Sequence, residues 1–271
     1  MANDATELDL LDILAARKYD ALVIPKSEQV IFTIQSKIVG TLENYAVISG
    51  LPKASKSTYV AAAIASSLLP DFMDCFGMKI NLPKERKRIA YFDTEMSQYD
   101  FYRQMEKIRS FADKNKLPPN IDAFNFREDS PNRIKNLITA YLQANADCSC
   151  IVLDGLLDLC MNYNDEVESR KVVLWLKRIT RIFNIFVIGI LHKGKGTGET
   201  LGHLGSNTDR WAQSTLEVIK IKETKQFTLQ PKYLRSDSDF ETIALMNFDG
   251  RWQQVPYQEP EIQTFKKQKK T

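Results

Sequence analysis

The sequence is poor in the features that mark fibrous, disulfide-rich and membrane-spanning chains. Its 271 residues include only 11 glycines and 10 prolines, which excludes fibrous and linker-dominated classes. The longest nearly apolar run, residues 59–70, is too short to span a bilayer, so we expect no membrane partner. The sequence has only four cysteines, which lack metal-ligand spacing and indicate the reduced thiols of a cytoplasmic protein: Cys75, Cys148, Cys150 and Cys160.

The sequence predicts no secretory signal, and it has no large excess of charge. Residues 1–7 are acidic, where a signal peptide would be basic and then apolar. The 37 Lys and Arg residues nearly balance the 34 Asp and Glu residues. A dedicated nucleic-acid-binding protein is usually more basic, so charge alone does not indicate that function.

Strand-like and helix-like segments alternate along most of the chain. Buried strands are predicted at 45–49, 88–93, 150–154 and 185–191, and helices at 57–69, 97–114, 131–145 and 166–182. Repeated strand–helix units of this length predict an α/β fold with a mostly parallel sheet and helices on both faces. Three further strand-like segments, at 215–221, 226–233 and 243–248, predict antiparallel strands at the C-terminal edge.

The segments outside this alternation suggest how the chain is divided. Residues 1–30 hold an N-terminal helix (about 6–18) and a linker, residues 31–258 form one domain, and residues 259–271 are a basic tail that we expect to be disordered. A small hairpin is predicted near 30–39. Leu8, Leu11, Ile13 and Leu14 fall near one face of the N-terminal helix, which packs either on its own domain or on a neighbouring subunit.

The strongest local motif is Gly50-Leu-Pro-Lys-Ala-Ser-Lys-Ser-Thr58, between a predicted strand and a predicted helix. It matches the phosphate-loop pattern G-x-x-x-x-G-K-[ST] except that Ser55 replaces the second glycine. Lys56 would reach the terminal phosphates of a nucleotide and Ser57 would offer a hydroxyl ligand to Mg²⁺. The alternative is an ordinary strand–helix turn. The residues predicted to bind nucleotide here are Gly50, Pro52, Lys53, Ala54, Ser55, Lys56, Ser57 and Thr58.

Acidic residues end two of the other predicted strands. Asp154 follows an apolar run, and a carboxylate there would lie beside the phosphate loop and help to hold Mg²⁺. Glu95 could polarise an attacking water, and Asp93 competes with it for that role. Without such a site, Asp154 would simply cap the following turn.

His192 follows the strand at 185–191, where it could sense a terminal phosphate or play a structural role. Directly after it, residues 193–206 contain five glycines in fourteen residues, which predicts a loop. Lys193 and Lys195 in this loop are our candidates for contact with a nucleic-acid backbone. The alternative is a flexible, solvated connection.

The order of these motifs resembles the RecA-like P-loop ATPases, and within them the RepA-type, DnaB-like hexameric replicative helicases. The resemblance runs from about residue 32 to 248. Besides the phosphate loop, it is carried by residues 152–159 with 164–169, similar to the family's magnesium strand, and by residues 202–211, similar to the segment that ends in its arginine finger.

The resemblance implies ATP and Mg²⁺ as cofactors and gives a role to each matching residue. Lys56 and Ser57 bind phosphate and Mg²⁺, Glu95 is the catalytic base and Asp154 the magnesium-side acid. His192 is the phosphate sensor and Arg210 the finger that enters a neighbour's site. Lys232 and Arg235 resemble the family's trans Lys-x-Arg pair with one extra spacer residue, so Arg235 competes with Arg210.

The resemblance further implies a homo-oligomeric ring, commonly of six, around single-stranded DNA during replication of a plasmid, phage or mobile element. Any loading would depend on replication-initiation partners. The tail at 266–270 holds four of the 37 basic residues, which leaves 33 against 34 acidic residues in the rest of the chain. We therefore expect DNA binding to require the assembled ring.

Two other functions fit the same motifs. One is a nucleotide-binding assembly or regulatory ATPase with weak hydrolysis and no unwinding, which Ser55 favours because its side chain crowds the phosphate loop. The other is a small-molecule kinase, against which the His192 and Arg210 segments count.

Overall fold

The structure is a computed structural model that describes residues 7–24, 27–194 and 202–260. These residues form a three-stranded and a nine-stranded sheet. The strands are β1 (Val30–Ile34), β2 (Lys37–Thr41), β3 (Tyr45–Gly50), β4 (Met78–Ile80), β5 (Arg88–Asp93), β6 (Ile121–Asn125), β7 (Cys148–Asp154), β8 (Phe186–His192), β9 (Ser214–Lys220), β10 (Phe227–Leu234), β11 (Ile243–Phe248) and β12 (Arg251–Val255).

The helices alternate with the strands, as the sequence predicts. They are α1 (Glu7–Arg17), α2 (Lys56–Ser66), α3 (Gln98–Phe111), α4 (Pro131–Ala144), α5 (Glu166–Phe183) and α6 (Gly202–Trp211), with a short 3₁₀ helix at Leu156–Leu159. Local capping fixes two of the starts. The side chain of Ser97 accepts the Asp100 N–H before α3, and that of Asp165 accepts the Glu168 N–H before α5.

The large sheet has the strand order β12-β11-β10-β9-β3-β8-β7-β5-β6. The six strands from β9 to β6 are parallel, while β10, β11 and β12 extend the sheet antiparallel at one edge. This arrangement confirms the predicted α/β architecture with antiparallel C-terminal edge strands.

Helices cover both faces of the central strands. Alternate residues of β7 point to opposite sides: Val152 packs in the core that contains α2, and Leu153 in the core that contains α4 and α5. Because both faces are covered, all seven residues of β7 are buried. Helix α2 is rich in alanine, and its small side chains allow ten of its eleven residues to be buried against the sheet.

The small sheet, in the order β2-β1-β4, contains the predicted hairpin of β1 and β2. Helix α1 lies outside both cores. Its described apolar side chains Leu11 and Leu14 are 62% and 65% exposed, and Leu22 and Ile24 beyond the helix are about as exposed as in an open chain. The described residues therefore do not show the helix packing on its own domain. No helix in the described ranges is both long and apolar enough to cross a membrane.

Three elements differ from the sequence prediction. The predicted loop at 193–206 ends in α6, which begins at Gly202 and is anchored by buried Leu204. Strand β4 has only three residues and depends on pairing with β1. Strand β12 pairs with β11 beyond the last predicted strand. The stretch 195–201 and the tail at 261–271 lie outside the described residues.

Candidate active site

The candidate site lies where four neighbouring parallel strands end. Gly50 at the end of β3 is in register with His192 on β8, and Asp93 on β5 is in register with Asp154 on β7. Residues at the carboxyl ends of adjacent parallel strands meet in one crevice, where ligands of open α/β sheets bind. The structure thus brings together the phosphate loop, Asp154, His192 and, two residues beyond Asp93, Glu95.

The loop between β3 and α2 has the backbone of an anion-binding turn. Lys53 and Ser55 have positive φ angles of 64° and 68°, in the region that favours glycine. Ser55 therefore adopts the left-handed conformation at the position where the motif has its second glycine. At Gly50, a Cβ atom would lie 2.5 Å from the backbone oxygen of Val218, so glycine is required there by close packing.

Lys56, the first residue of α2, is buried beneath this loop. Its ammonium donates hydrogen bonds to the backbone oxygens of Gly50 (3.1 Å) and Leu51 (3.2 Å) and lies 3.1 Å from His192 Nδ1. Burial lowers the pKa of Lys56 to about 8. The electropositive N-terminus of α2 favours binding of an anion. Such an anion would favour the charged ammonium of Lys56, because a nearby opposite charge offsets the effect of burial.

Lys56, His192 and Glu95 form a chain of hydrogen bonds. His192 Nε2 lies 2.9 Å from Glu95 Oε2. A charged lysine can only donate, so Nδ1 of His192 accepts and its Nε2–H donates to Glu95. The hydrogen bond from His192 lowers the pKa of Glu95, burial acts in the other direction, and the charge of Lys56 adds a smaller lowering. Glu95 is therefore an ionised carboxylate at neutral pH, as a base must be.

The two competing carboxylates of β5 have different environments. Asp93 is fully buried and accepts the backbone N–H of Met96 (3.0 Å) and the Asn125 side-chain amide (2.8 Å). It therefore closes the turn after β5, whereas Glu95 extends toward His192. Burial raises the pKa of Asp93 to about 6. This geometry favours Glu95 over Asp93 as the candidate base.

Asp154 is buried at the end of β7, where the Tyr91 hydroxyl donates a hydrogen bond to it. Burial raises its pKa to about 7, and a divalent cation beside it would favour the ionised form. Ser57 and Asp154 offer a hydroxyl and a carboxylate, the oxygen ligands that suit Mg²⁺. The described residues contain no cluster of three or more acidic, His or Cys side chains that would bind a metal alone. These residues therefore fit a Mg²⁺ held largely by nucleotide phosphates and water.

One of the two predicted DNA-contacting lysines, Lys193, is buried in the structure. It is 6% exposed, its ammonium pairs with Glu217, and its N–H donates to the backbone oxygen of Gly50. A side chain buried in this way is not available to a nucleic-acid backbone, and Lys193 instead links the end of β8 to β9 across the end of β3. Lys195 lies outside the described residues.

The three predicted trans residues share one surface, far from the phosphate loop. A shallow pocket of about 740 Å³ is lined by Arg210, Lys232 and Arg235. The Arg235 guanidinium donates to the backbone oxygen of Arg210, and Lys232 pairs with Asp209 at 2.9 Å.

Strand register shows where this surface lies. Leu234, the neighbour of Arg235, is opposite Ser214, and Ser214 is opposite Ala46 at the start of β3. The phosphate loop begins four residues later, at Gly50, or about 13 Å along the strand at 3.3 Å per residue. The cationic surface therefore lies at the opposite end of these neighbouring strands from its own phosphate loop.

Sequence reasoning missed several residues that support the site. Gln104 of α3 is 3% exposed and donates to the backbone oxygen of Ser57 at 2.7 Å. Thr94 donates to Asp158 at 2.7 Å, which ties the loop after β5 to the loop after β7. The signal for Gln104 was its place on the apolar face of an amphipathic helix, where a polar residue needs a partner. Nothing in the sequence pairs Thr94 with Asp158.

Comparison with known proteins identifies the fold and goes no further. No protein-family model matches the chain, and no curated protein does. A solved structure with the same fold is a KaiC-like protein from the hyperthermophilic archaeon Pyrococcus horikoshii OT3, with a TM-score of 0.53 and 12% sequence identity. The match covers 80% of this chain and 91% of that chain. This likeness confirms the RecA-like fold.

Proposed function

We propose that this chain binds and hydrolyses ATP with Mg²⁺ as a RecA-like ATPase, and that it acts as a homo-oligomeric ring on single-stranded DNA in replication. One observation carries the ATPase proposal: the hydrogen-bonded chain of Lys56, His192 and Glu95 lies at the mouth of a phosphate loop. In this chain Lys56 is a cation that can bind phosphate, Glu95 is a carboxylate that can activate water, and His192 links the two.

The proposed reaction uses these residues in three ways. Lys56 exchanges its hydrogen bonds to backbone oxygens for the terminal phosphates. Glu95 accepts the proton of the attacking water, and its lowered pKa keeps it ionised and ready to accept that proton. His192 contacts both Lys56 and Glu95, so it can transmit a change at the terminal phosphate from Lys56 to Glu95. Ser57 and Asp154 would hold Mg²⁺, which neutralises charge on the phosphates.

The oligomer proposal rests on the position of the arginines. Arg210 and Arg235 lie at the opposite end of the strands from their own phosphate loop, so a role in hydrolysis requires the site of another copy. The exposed apolar side chains of α1, among them Leu11 and Leu14, are a further surface for a neighbouring copy. Both features support a ring, and neither fixes the number of subunits.

The second candidate is a regulatory or assembly ATPase with weak hydrolysis and no unwinding. The left-handed backbone at Ser55 favours it, because a residue with a side chain is strained where the phosphate-loop motif has a glycine. The burial of Lys193 also favours it, because it removes one of the two predicted DNA contacts.

One experiment tests the proposal and separates the two candidates. ATP turnover is measured with and without single-stranded DNA, beside the particle mass in solution, for the wild type and for Lys56→Ala. The helicase-like function predicts turnover that rises with DNA and disappears in Lys56→Ala. Nucleotide-dependent assembly with little turnover and no response to DNA would support the regulatory function. No Lys56-dependent nucleotide binding would contradict both.

Ser55→Gly is expected to strengthen ATP binding several-fold while changing the free energy of unfolding by less than about 1 kcal/mol. Glycine relieves the left-handed strain but makes the unfolded chain more flexible, and these effects largely offset each other. It also removes a side chain from the phosphate loop. Isothermal titration and thermal unfolding measure the two quantities.

Lys53→Gly is the matched control for this substitution. Lys53 has a similar positive φ in the same loop, so the backbone effect is the same, but its side chain is exposed. An equal gain in ATP affinity in both variants would mean that backbone strain, and not the serine side chain, limits binding.

A further inference from the structure

Helix α3 brings two cationic side chains to the first turn of α2. Gln104 fixes the contact through its hydrogen bond to Ser57, and one turn later Lys107 Nζ donates to the Thr58 hydroxyl at 3.2 Å. Lys107 is half-buried, and Arg103 precedes it by one turn on the same face of the helix. A lysine on a neighbouring helix thus reaches the turn that follows the phosphate loop.

The contacts of these two cations are with neutral groups: Lys107 bonds the Thr58 hydroxyl, and the Arg103 guanidinium lies over the Tyr99 ring. Within the described ranges, neither Arg103 nor Lys107 forms an ion pair with an acidic side chain. Burial and then the charge of Arg103 lower the pKa of Lys107, while the charge of Asp154 acts in the other direction. Two like charges beside an electropositive helix N-terminus are unfavourable in the free protein. An anion at this position would relieve that repulsion.

A cleft beside Arg103 and Lys107 extends away from the phosphate loop. This cleft of about 660 Å³ extends from Ser57 along α3 to the turn between β11 and β12. Arg103 and Lys107 line it beside Ser57, and Asn247 and Trp252 line its other side. Lys56, His192 and Glu95 do not line this cleft. A nucleotide with its terminal phosphate at Lys56 therefore has room for its nucleoside on the α3 side.

We propose that Lys107, with Arg103 beside it, binds the nucleotide phosphate next to the nucleoside, so that two lysines from different helices hold the phosphate chain. This inference rests on the proposed function, because it assigns a second set of residues to the same ATP site. Lys56 holds the terminal phosphates from within the phosphate loop, and Lys107 holds the α-phosphate across the first turn of α2.

Lys107→Met tests this assignment. We expect the Kd for ATP and for ADP to rise about tenfold or more, the cost of losing a charge-assisted hydrogen bond. Pyrophosphate, which can fill the terminal positions without reaching Lys107, should bind within about threefold of wild type. The unfolding midpoint of the nucleotide-free protein should not fall, because the substitution removes the repulsion with Arg103. Lys107→Arg should recover most of the ATP affinity.

Lys171→Met is the matched control, since it makes the same substitution at an exposed lysine of α5 that does not line this cleft. Its ATP affinity should stay near that of wild type. Unchanged ATP affinity in Lys107→Met, or an equal loss for ATP and pyrophosphate, would overturn the assignment. So would a fall in the nucleotide-free unfolding midpoint, which would show that the bond to Thr58 is structural.

Failure here is distinguishable from failure of the proposed function. If the wild type binds ATP and Lys56→Ala does not, the proposed ATP site is supported, whatever the ATP affinity of Lys107→Met. If the wild type binds no ATP in the same titration, the proposed function fails and this assignment fails with it.

Discussion

Replacing Glu95 with glutamine is expected to lower ATP turnover by about 10²- to 10⁴-fold and to leave ATP affinity within about threefold of wild type. Glutamine keeps the size of the side chain and can still accept the hydrogen bond from His192 Nε2. It cannot accept the proton of the attacking water. Phosphate release under steady-state conditions gives the turnover, and titration with ATP gives the affinity.

Asp93→Asn is the informative comparison, because Asp93 is the other carboxylate at the end of β5. One oxygen of Asp93 accepts the N–H of Met96 and the amide of Asn125, and the other faces the N–H of Glu95 at 3.5 Å. In either orientation an asparagine would turn its amide donor toward one of these donors. We therefore expect a lower unfolding midpoint in Asp93→Asn. If Glu95→Gln kept its turnover while a folded Asp93→Asn lost it, the two assignments would have to be exchanged.

Arg210→Ala is expected to lower turnover by about 10³-fold or more and to spare ATP binding, as the loss of an arginine finger does. The reason is the position of Arg210 at the end of the strands away from its own phosphate loop, where it can stabilise charge only in another copy's site. The Arg235 guanidinium binds the Arg210 backbone oxygen, so Arg235→Ala should cost less. The reverse order of effects would identify Arg235 as the finger.

Mixing two inactive variants gives a separate test of whether Arg210 acts in the site of a neighbouring subunit. Lys56→Ala subunits retain Arg210, and Arg210→Ala subunits retain an intact phosphate loop. Mixed assemblies should recover turnover at those interfaces where the intact arginine faces the intact loop. Turnover that stays at zero across all mixing ratios, with mixed assembly shown by mass, would contradict action in trans.

The central strands were predictable from the sequence because of how they are buried. A strand covered on both faces has no exposed side, so β5, β7 and β8 appear as short continuous apolar runs that end in polar residues. Those polar ends, Asp93, Asp154 and His192, point to the site directly. The fold then needs only the rule that carboxyl ends of parallel strands meet at one edge.

The features that the sequence did not reveal depend on long-range pairing. Lys193 looks like an exposed basic residue until β9 places Glu217 beside it. Helix α6 starts among glycines, which are poor helix formers, and it forms because Leu204 is buried against the core of α5. Lys107 is one of several charged residues on α3, and only the packing of α3 on α2 selects it.

The placement of the phosphate loop and the arginines at opposite ends of neighbouring strands bears on the symmetry of any active assembly. A two-fold pairing can complete two sites only if the arginines and the phosphate loop lie on one face that contacts the same face of the partner. A heterologous, head-to-tail contact has no such requirement, because it joins the arginine surface of one copy to the phosphate loop of the next. An open row of such contacts always leaves one terminal phosphate loop without an arginine, whereas closure of the row completes every site.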